Sequence, residues 1–190
     1  MISLLTYWYK YTGLGGAWRM NTLIVYGSKY GTTKKCAEML QKELEGDVQL
    51  VNIREKNDID IRKYETVIIG SPVYLGEIDK GIKKFCYQNI ERLRDKNIGL
   101  FICCMNPQES EKQIKQNFPK PLLDRAMVRE DFGGEFLMEK MSLAERWAIR
   151  AVAKTLARKD PNFSSQNKRK ISLIRVDNIK KFARQINRCS

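Results

Sequence analysis

Thr22-Leu23-Ile24-Val25-Tyr26-Gly27-Ser28-Lys29-Tyr30-Gly31-Thr32-Thr33 is an apolar run that breaks into a hydroxyl-rich, glycine-bearing turn. Leu23 to Val25 suit a strand buried on both faces. Beyond Thr33, the residues Ala37, Met39, Leu40 and Leu44 recur near helical spacing among Lys34, Lys35, Glu38, Lys42 and Glu43, so the turn leads into a helix N-terminus. First-turn amides have no partner inside a helix, and the helix dipole is positive at that end. These first-turn amides, with hydroxyls from Ser28, Thr32 and Thr33, form a candidate cradle for a phosphate monoester.

Two other phosphate motifs fail on spacing. A Walker loop has four residues between its glycines and then Lys-Ser/Thr, whereas Gly27 and Gly31 enclose three and Thr32 follows. The dinucleotide fingerprint needs glycine two places after Gly27, where Lys29 stands. ATP and NAD are disfavoured, and hydroxyls in place of a lysine or third glycine point to a terminal monophosphate such as that of FMN.

The chain has 190 residues, 43% of them hydrophobic, which is enough for one domain with a substantial core. No run of about 18 apolar residues would span a bilayer. The five cysteines, Cys36, Cys86, Cys103, Cys104 and Cys189, are odd in number and lack zinc-ligand spacing, so no metal site is expected and a reducing, cytoplasmic setting is. The absence of histidine excludes a Ser-His-Asp triad, a Cys-His pair and histidine-ligated metals. No side chain stands out as catalytic, and redox chemistry would have to come from a cofactor.

Residues 1–19 do not share the pattern of the rest of the chain. Tyr7, Trp8, Tyr9, Tyr11 and Trp18 crowd without a period, and Gly13, Gly15 and Gly16 break any helix. This stretch is read as an extension: an over-long start, a disordered tail or an aromatic interface segment. The domain proper is placed at 20–190. Within it, strands are expected at Leu23–Val25, Val48–Ile53, Thr66–Gly70, Ile98–Cys104 and Asp131–Leu137, and helices after Thr33 and over Lys80–Leu93, Glu109–Phe118 and Val176–Ile186. Strands separated by helices imply an α/β fold, a doubly wound parallel sheet with helices on both faces.

Ligands of such sheets bind beyond the carboxyl ends of the strands, where strand order reverses. The loop after the third strand is Ser71-Pro72-Val73-Tyr74-Leu75-Gly76, and the loop after the fourth is Met105-Asn106-Pro107-Gln108. Both fall where a flavin ring needs walls. Tyr74 could stack on such a ring, Pro72 and Gly76 shape a closely approaching backbone, and loop amides face the ring's pyrimidine edge. Cys103 and Cys104, adjacent on a strand, point to opposite faces and read as small core residues. Asp79 reads as the N-cap of the next helix. Asp131, Glu135 and Glu139 form a carboxylate rim or, by default, solvated charge.

Tyr26 to Thr33, followed by Ala37, resembles the FMN-phosphate loop of flavodoxins. Phe132-Gly133-Gly134-Glu135-Phe136 and Met141-Ser142-Leu143-Ala144-Glu145-Arg146-Trp147 are similar to flavodoxin-domain proteins of the quinone-linked protoporphyrinogen IX dehydrogenase group. The resemblance covers Met20 to about Arg188. It implies a flavodoxin-like five-stranded sheet of order 2-1-3-4-5, an extra basic helix inserted after strand five, and FMN held by Ser28–Thr33, Ser71–Gly76 and Cys104–Asn106. Tyr30 departs from the pattern, standing where many flavodoxins place a threonine.

The net charge of +13 also departs from carrier flavodoxins, which are acidic. In Met141–Lys159, Leu143, Trp147, Ala151 and Leu156 recur near helical spacing while Arg146, Arg150, Lys154 and Arg158 repeat every four residues. That pattern suits an ordinary packed surface helix or one lying on an anionic membrane face, more than nucleic acid. The partners implied are an apolar or anionic redox substrate, a tetrapyrrole or quinone, with peripheral membrane contact. Three functions stay open: an FMN-dependent dehydrogenase passing electrons to quinone, a non-catalytic electron carrier, and an NAD(P)H:quinone reductase.

Overall fold

The computed structural model describes residues 21–56, 58–137 and 170–188. Its elements run β1 (Asn21–Tyr26), α1 (Thr32–Glu43), β2 (Asp47–Asn52), β3 (Thr66–Tyr74), β4 (Glu77–Ile78), α2 (Lys80–Gln88), β5 (Asn97–Cys103), a 3-10 turn (Pro107–Glu109), α3 (Ser110–Asn117), α4 (Lys120–Arg125), β6 (Ala126–Asp131), β7 (Glu135–Leu137), β8 (Lys170–Ser172) and α5 (Val176–Arg188). The five parallel strands lie in the order β2-β1-β3-β5-β6. This is the expected 2-1-3-4-5 arrangement, enlarged by β4 on β3 and by a separate β7–β8 pair.

The central strands are apolar because both faces are covered. Leu23, Val25, Val67, Ile69, Leu100 and Ile102 face a core with Ile82, Phe85 and Cys86 of α2, Ile114 of α3 and Leu122 of α4. Ile24, Ile68, Phe101 and Cys103 face the other core, with Cys36, Ala37 and Leu40 of α1 and Ile179, Phe182 and Ala183 of α5. Cys103 and Cys104 fall in different cores, as adjacent strand residues must. On the α1–α5 side the ring of Phe101 stacks on Phe132 at 4.4 Å, and Phe182 meets Phe132 edge-on at 5.3 Å. Each such side chain, fully removed from water, contributes about 1.5–3 kcal/mol.

One strand lies elsewhere than the sequence pattern predicts. The fifth parallel strand is Ala126–Asp131, while Asp131–Leu137 spans its end, a Phe132–Gly134 connection and the antiparallel β7. Only Val128 and Asp131 are buried in Ala126–Asp131, since it is an edge strand; Arg129 is exposed, and Glu130 is half-buried beside Asn178 and Lys181 of α5. Charge on an edge blunts unwanted pairing and also hides the hydrophobic signal. The helix expected over Lys80–Leu93 stops at Gln88, where the Asn89 side chain donates to the Phe85 carbonyl at 3.0 Å. Residues 1–19 and the expected basic helix 141–159 lie outside the described residues. Among the described residues no helix is long and apolar enough to cross a membrane.

Candidate functional site

β1 and β3 are neighbours, and the chain turns left to β2 from one and right to β5 from the other. Their carboxyl ends, with that of β5, therefore open on a crevice at the switch of strand order. Three chain segments converge there.

The first is Gly27–Thr33. The Gly27 amide donates to the Gly70 carbonyl at 3.1 Å, so the turn leaves β1 still tied to β3. Gly31 is the N-cap of α1 at φ +98°, and no side chain caps it. That backbone is one an L side chain rarely adopts, which explains why a glycine ends the turn. The Ser28 Oγ accepts from the amides of Gly31 (3.1 Å) and Lys34 (3.4 Å). The amides of Thr32 and Thr33, at the helix start, have no residue four back inside the helix to bond. The first turn carries no acid and is followed by Lys34 and Lys35. Cations at the positive end of a dipole are disfavoured unless an anion joins them.

Two hydroxyls expected in the cradle are committed to the protein. The Thr32 Oγ1 donates to the Glu135 carbonyl at 3.0 Å. Thr33 is 1% exposed, buried beside Cys103. The cradle thus consists of helix amides and Ser28 more than of threonine hydroxyls. The neighbouring Cys36, with burial, pushes the Cys103 thiol well above its ordinary value.

The second segment, expected as a loop over Ser71–Gly76, is mostly strand. β3 runs through Tyr74 and pairs with β4 as Val73↔Ile78 and Tyr74↔Glu77. Only Leu75 (φ +51°) and Gly76 (φ +86°) form the turn, both at the positive φ that a tight two-residue hairpin requires. Leu75 is fully exposed at its tip. Ser71 is buried, accepting from the Asp79 amide at 2.9 Å and donating to the Pro72 carbonyl at 3.0 Å, so it braces the hairpin. Asp79 is the N-cap of α2, accepting from Gly81 (2.8 Å) and Ile82 (3.4 Å) and pairing with the Arg54 Nε at 2.9 Å.

Tyr74 leans edge-on against Tyr30, 5.9 Å between centroids, joining this hairpin to the first segment. The Lys29 ammonium lies 4.6 Å over the Tyr30 ring. Burial foremost, with Tyr30 beside it, pushes the Tyr74 phenol above its ordinary value, so it stays protonated at neutral pH.

The third segment continues from β5. The Cys104 amide donates to Asp131 Oδ1 at 3.1 Å, and its Sγ donates to the Asn106 carbonyl at 3.5 Å. Asn106 Oδ1 accepts from the Gln108 amide and starts the 3-10 turn. Met105 packs so closely on Gly134 that a Cβ there would lie 2.5 Å from its sulfur.

Several residues that hold these segments are not evident from the sequence. Asn117, 3% exposed on α3, accepts from the Ile78 amide at 3.1 Å and donates to the Gly76 carbonyl at 2.9 Å, clamping the Tyr74 hairpin from both sides. Asp131 and Glu135, expected as solvated charge, are buried. Asp131 accepts from the Cys104 and Gly133 amides and pairs with Arg175, while Glu135 pairs with Lys35 at 3.1 Å. Burial nevertheless leaves the Asp131 carboxyl above its ordinary value. Glu139 lies outside the described residues. No signal in the sequence marks Asn117 or Arg175, because their partners are brought up by the fold from 39–44 residues away.

Among known proteins, the chain is similar to a flavodoxin of Synechocystis, 33% identical over 73 residues, which are 37% of this chain and 42% of that one. It is similar also to the flavodoxin-like domain-containing protein BilS of Clostridioides difficile, 33% identical over 84 residues, 43% of this chain and 46% of that one. The chain therefore matches less than half the length of each relative. Among solved structures, the two-electron reduced Megasphaera elsdenii flavodoxin superposes at TM-score 0.48 with 22% identity, covering 58% of this chain and 84% of that one. The Fusobacterium nucleatum flavodoxin bound to flavin mononucleotide gives 0.41 with 16% identity, covering 58% and 68%. Residues 23–163 match the family described as the flavodoxin domain, and the chain belongs to that family.

Proposed function

We propose that this chain binds FMN and works as a flavoprotein in electron transfer or oxidoreduction. The supporting observation is the convergence of a helix N-terminus with no acid in its own first turn, entered through Gly31 at φ +98°, with the Tyr74 hairpin and the Cys104–Asn106 turn at one switch point. The residues fit the group. The amides from Lys29 to Thr33, with Ser28, would hold the phosphate; Tyr74 with Pro72–Gly76 and Cys104–Asn106 would flank the ring.

When bound, the flavin supplies the electron-accepting and hydride-accepting chemistry that the side chains of this chain lack. Tyr74 presents a neutral aromatic face, which disfavours negative charge on a neighbouring ring. The brace of Ser71, Asp79 and Asn117 fixes the hairpin that carries Tyr74. The buried Cys104 and the half-buried Met105 would shield the ring from water. Retention of a quenched flavin after mixing with FMN and desalting is the expected result; a colourless protein would refute the reading.

Within it, we propose as donor an apolar, carboxylate-bearing reductant of tetrapyrrole type, and a quinone as acceptor at a membrane face. Support comes from the resemblance of Phe132–Phe136 and Met141–Trp147 and from the net charge of +13, which favours anionic partners. FMN-loaded protein should oxidise protoporphyrinogen with quinone present. Inactivity, together with uptake of two separate single electrons in a reductive titration, favours the carrier reading. Steady NADPH consumption with a soluble quinone favours the quinone reductase.

A further inference from the structure

We infer that Glu135 is a positioning residue for the phosphate loop, acting through the β7–β8 hairpin as a strap across the base of the site. This rests on the FMN reading. Glu135 makes two separate bonds to the start of α1: its carbonyl accepts from Thr32 Oγ1 at 3.0 Å and its carboxylate accepts from Lys35 Nζ at 3.1 Å. Its side chain is 4% exposed, whereas that of Lys35 is 45% exposed. A carboxylate so far removed from water is costly unless paired, so its place beside the helix start is held by specific bonds. Losing one partner of such a pair destabilises more than the pair contributes.

The strap is anchored at its other end. Gly133, at φ +74°, passes so near Leu173 that a Cβ would lie 1.9 Å from the Leu173 carbonyl oxygen. The Leu173 amide in turn donates to the Gly134 carbonyl at 2.8 Å, and the Arg175 amide to the Phe132 carbonyl at 2.9 Å. Asp131 Oδ1 accepts from both the Gly133 and Cys104 amides, and Gly134 bears on Met105. Residues 131–135 thus connect the ring-side segment Cys104–Met105 to the phosphate-side residues Thr32 and Lys35.

The geometry has two consequences. The Lys35 ammonium is held at the helix start by Glu135, and the first turn of α1 is fixed in rotation by two bonds about one helical turn apart. The arrangement prepares the first-turn amides for a phosphate and adds nothing to a ligand that lacks one. Glu135 should therefore matter to FMN and not to riboflavin.

The test is a fluorescence titration of FMN and of riboflavin with the full chain, its Glu135→Ala variant and its Glu135→Gln variant. Loss of the carboxylate should weaken FMN by about fivefold or more and leave riboflavin within about twofold. The glutamine, whose oxygen still accepts from Lys35, should recover part of the loss. Equal weakening of both flavins, or no change in either, overturns the inference while leaving FMN binding by the unaltered chain intact. Failure of the unaltered chain to bind FMN overturns the FMN reading and this inference with it. Should Glu135→Ala not fold, Glu135→Gln alone decides: FMN weakened relative to riboflavin supports the inference, and an unchanged ratio overturns it.

Discussion

Replacing Gly31 by alanine isolates backbone strain at the candidate phosphate loop. A Cβ at Gly31 would meet nothing within 4 Å, so no steric clash with the protein accompanies the substitution. What changes is the cost of φ +98°, about 1–2 kcal/mol for a residue with a Cβ held at left-handed φ. That energy has two places to appear. If the loop keeps its conformation without ligand, stability falls by about 1–2 kcal/mol and FMN affinity is unchanged. If it relaxes and must be rebuilt on binding, stability is spared and affinity falls by roughly 5- to 30-fold. In both cases the FMN-saturated protein loses the same total. The assay is urea unfolding of apo and FMN-saturated G31A beside an FMN titration. Gly46, at φ +86° in the exposed turn after α1, is the control: G46A should lose stability without loss of FMN affinity. If G31A matches the unaltered chain in both holo stability and affinity, the loop is not held at the observed backbone and the cradle argument fails.

Asn117→Ala leaves the buried Ile78 amide and the Gly76 carbonyl without their partner, and should destabilise by about 1–3 kcal/mol in urea unfolding. A loss under about 0.5 kcal/mol would show that the hairpin does not depend on the clamp. Asp131→Asn tests a buried carboxyl. Because burial holds Asp131 above its usual 3.8, the native state keeps a proton there that the unfolded chain releases just above that pH. Its favourable contribution is full below pH 3.8 and is lost as pH rises through the native value, so the difference between the unaltered chain and D131N should shrink over that window; a pH-independent difference would remove the linkage. Burial also raises the Cys86 thiol to about 12, and the neighbouring Cys36 together with burial raises the Cys103 thiol well above its ordinary value. Iodoacetamide at about pH 8, near the ordinary thiol value, followed by mass spectrometry should leave both unmodified until urea unfolds the protein, and rapid native labelling would contradict their placement.

The sequence discloses what is local and leaves out what is brought together. β1, β3 and β5 are legible because burial on both faces leaves uninterrupted apolar runs, Leu23–Val25, Val67–Ile69 and Ile98–Cys103. The turn into α1 is legible because a glycine at positive φ and a helix start are local features, encoded within a few residues of Gly31. The edge strand Ala126–Asp131 is not, since an edge strand carries charge where a central one carries valine. Charge obscures the site in the same way. Asp131 and Glu135 look like solvated acids until the fold supplies Arg175 from 44 residues away and Lys35 from 100. Thr32 and Thr33 look like phosphate ligands until the first is found bonded to the Glu135 carbonyl and the second buried beside Cys103. A motif thus names the backbone that faces the ligand, since φ and helix start are local properties, but it leaves side-chain direction undetermined. For this chain the amides carry the argument for an anion, and the two threonines carry the argument for what holds those amides in place.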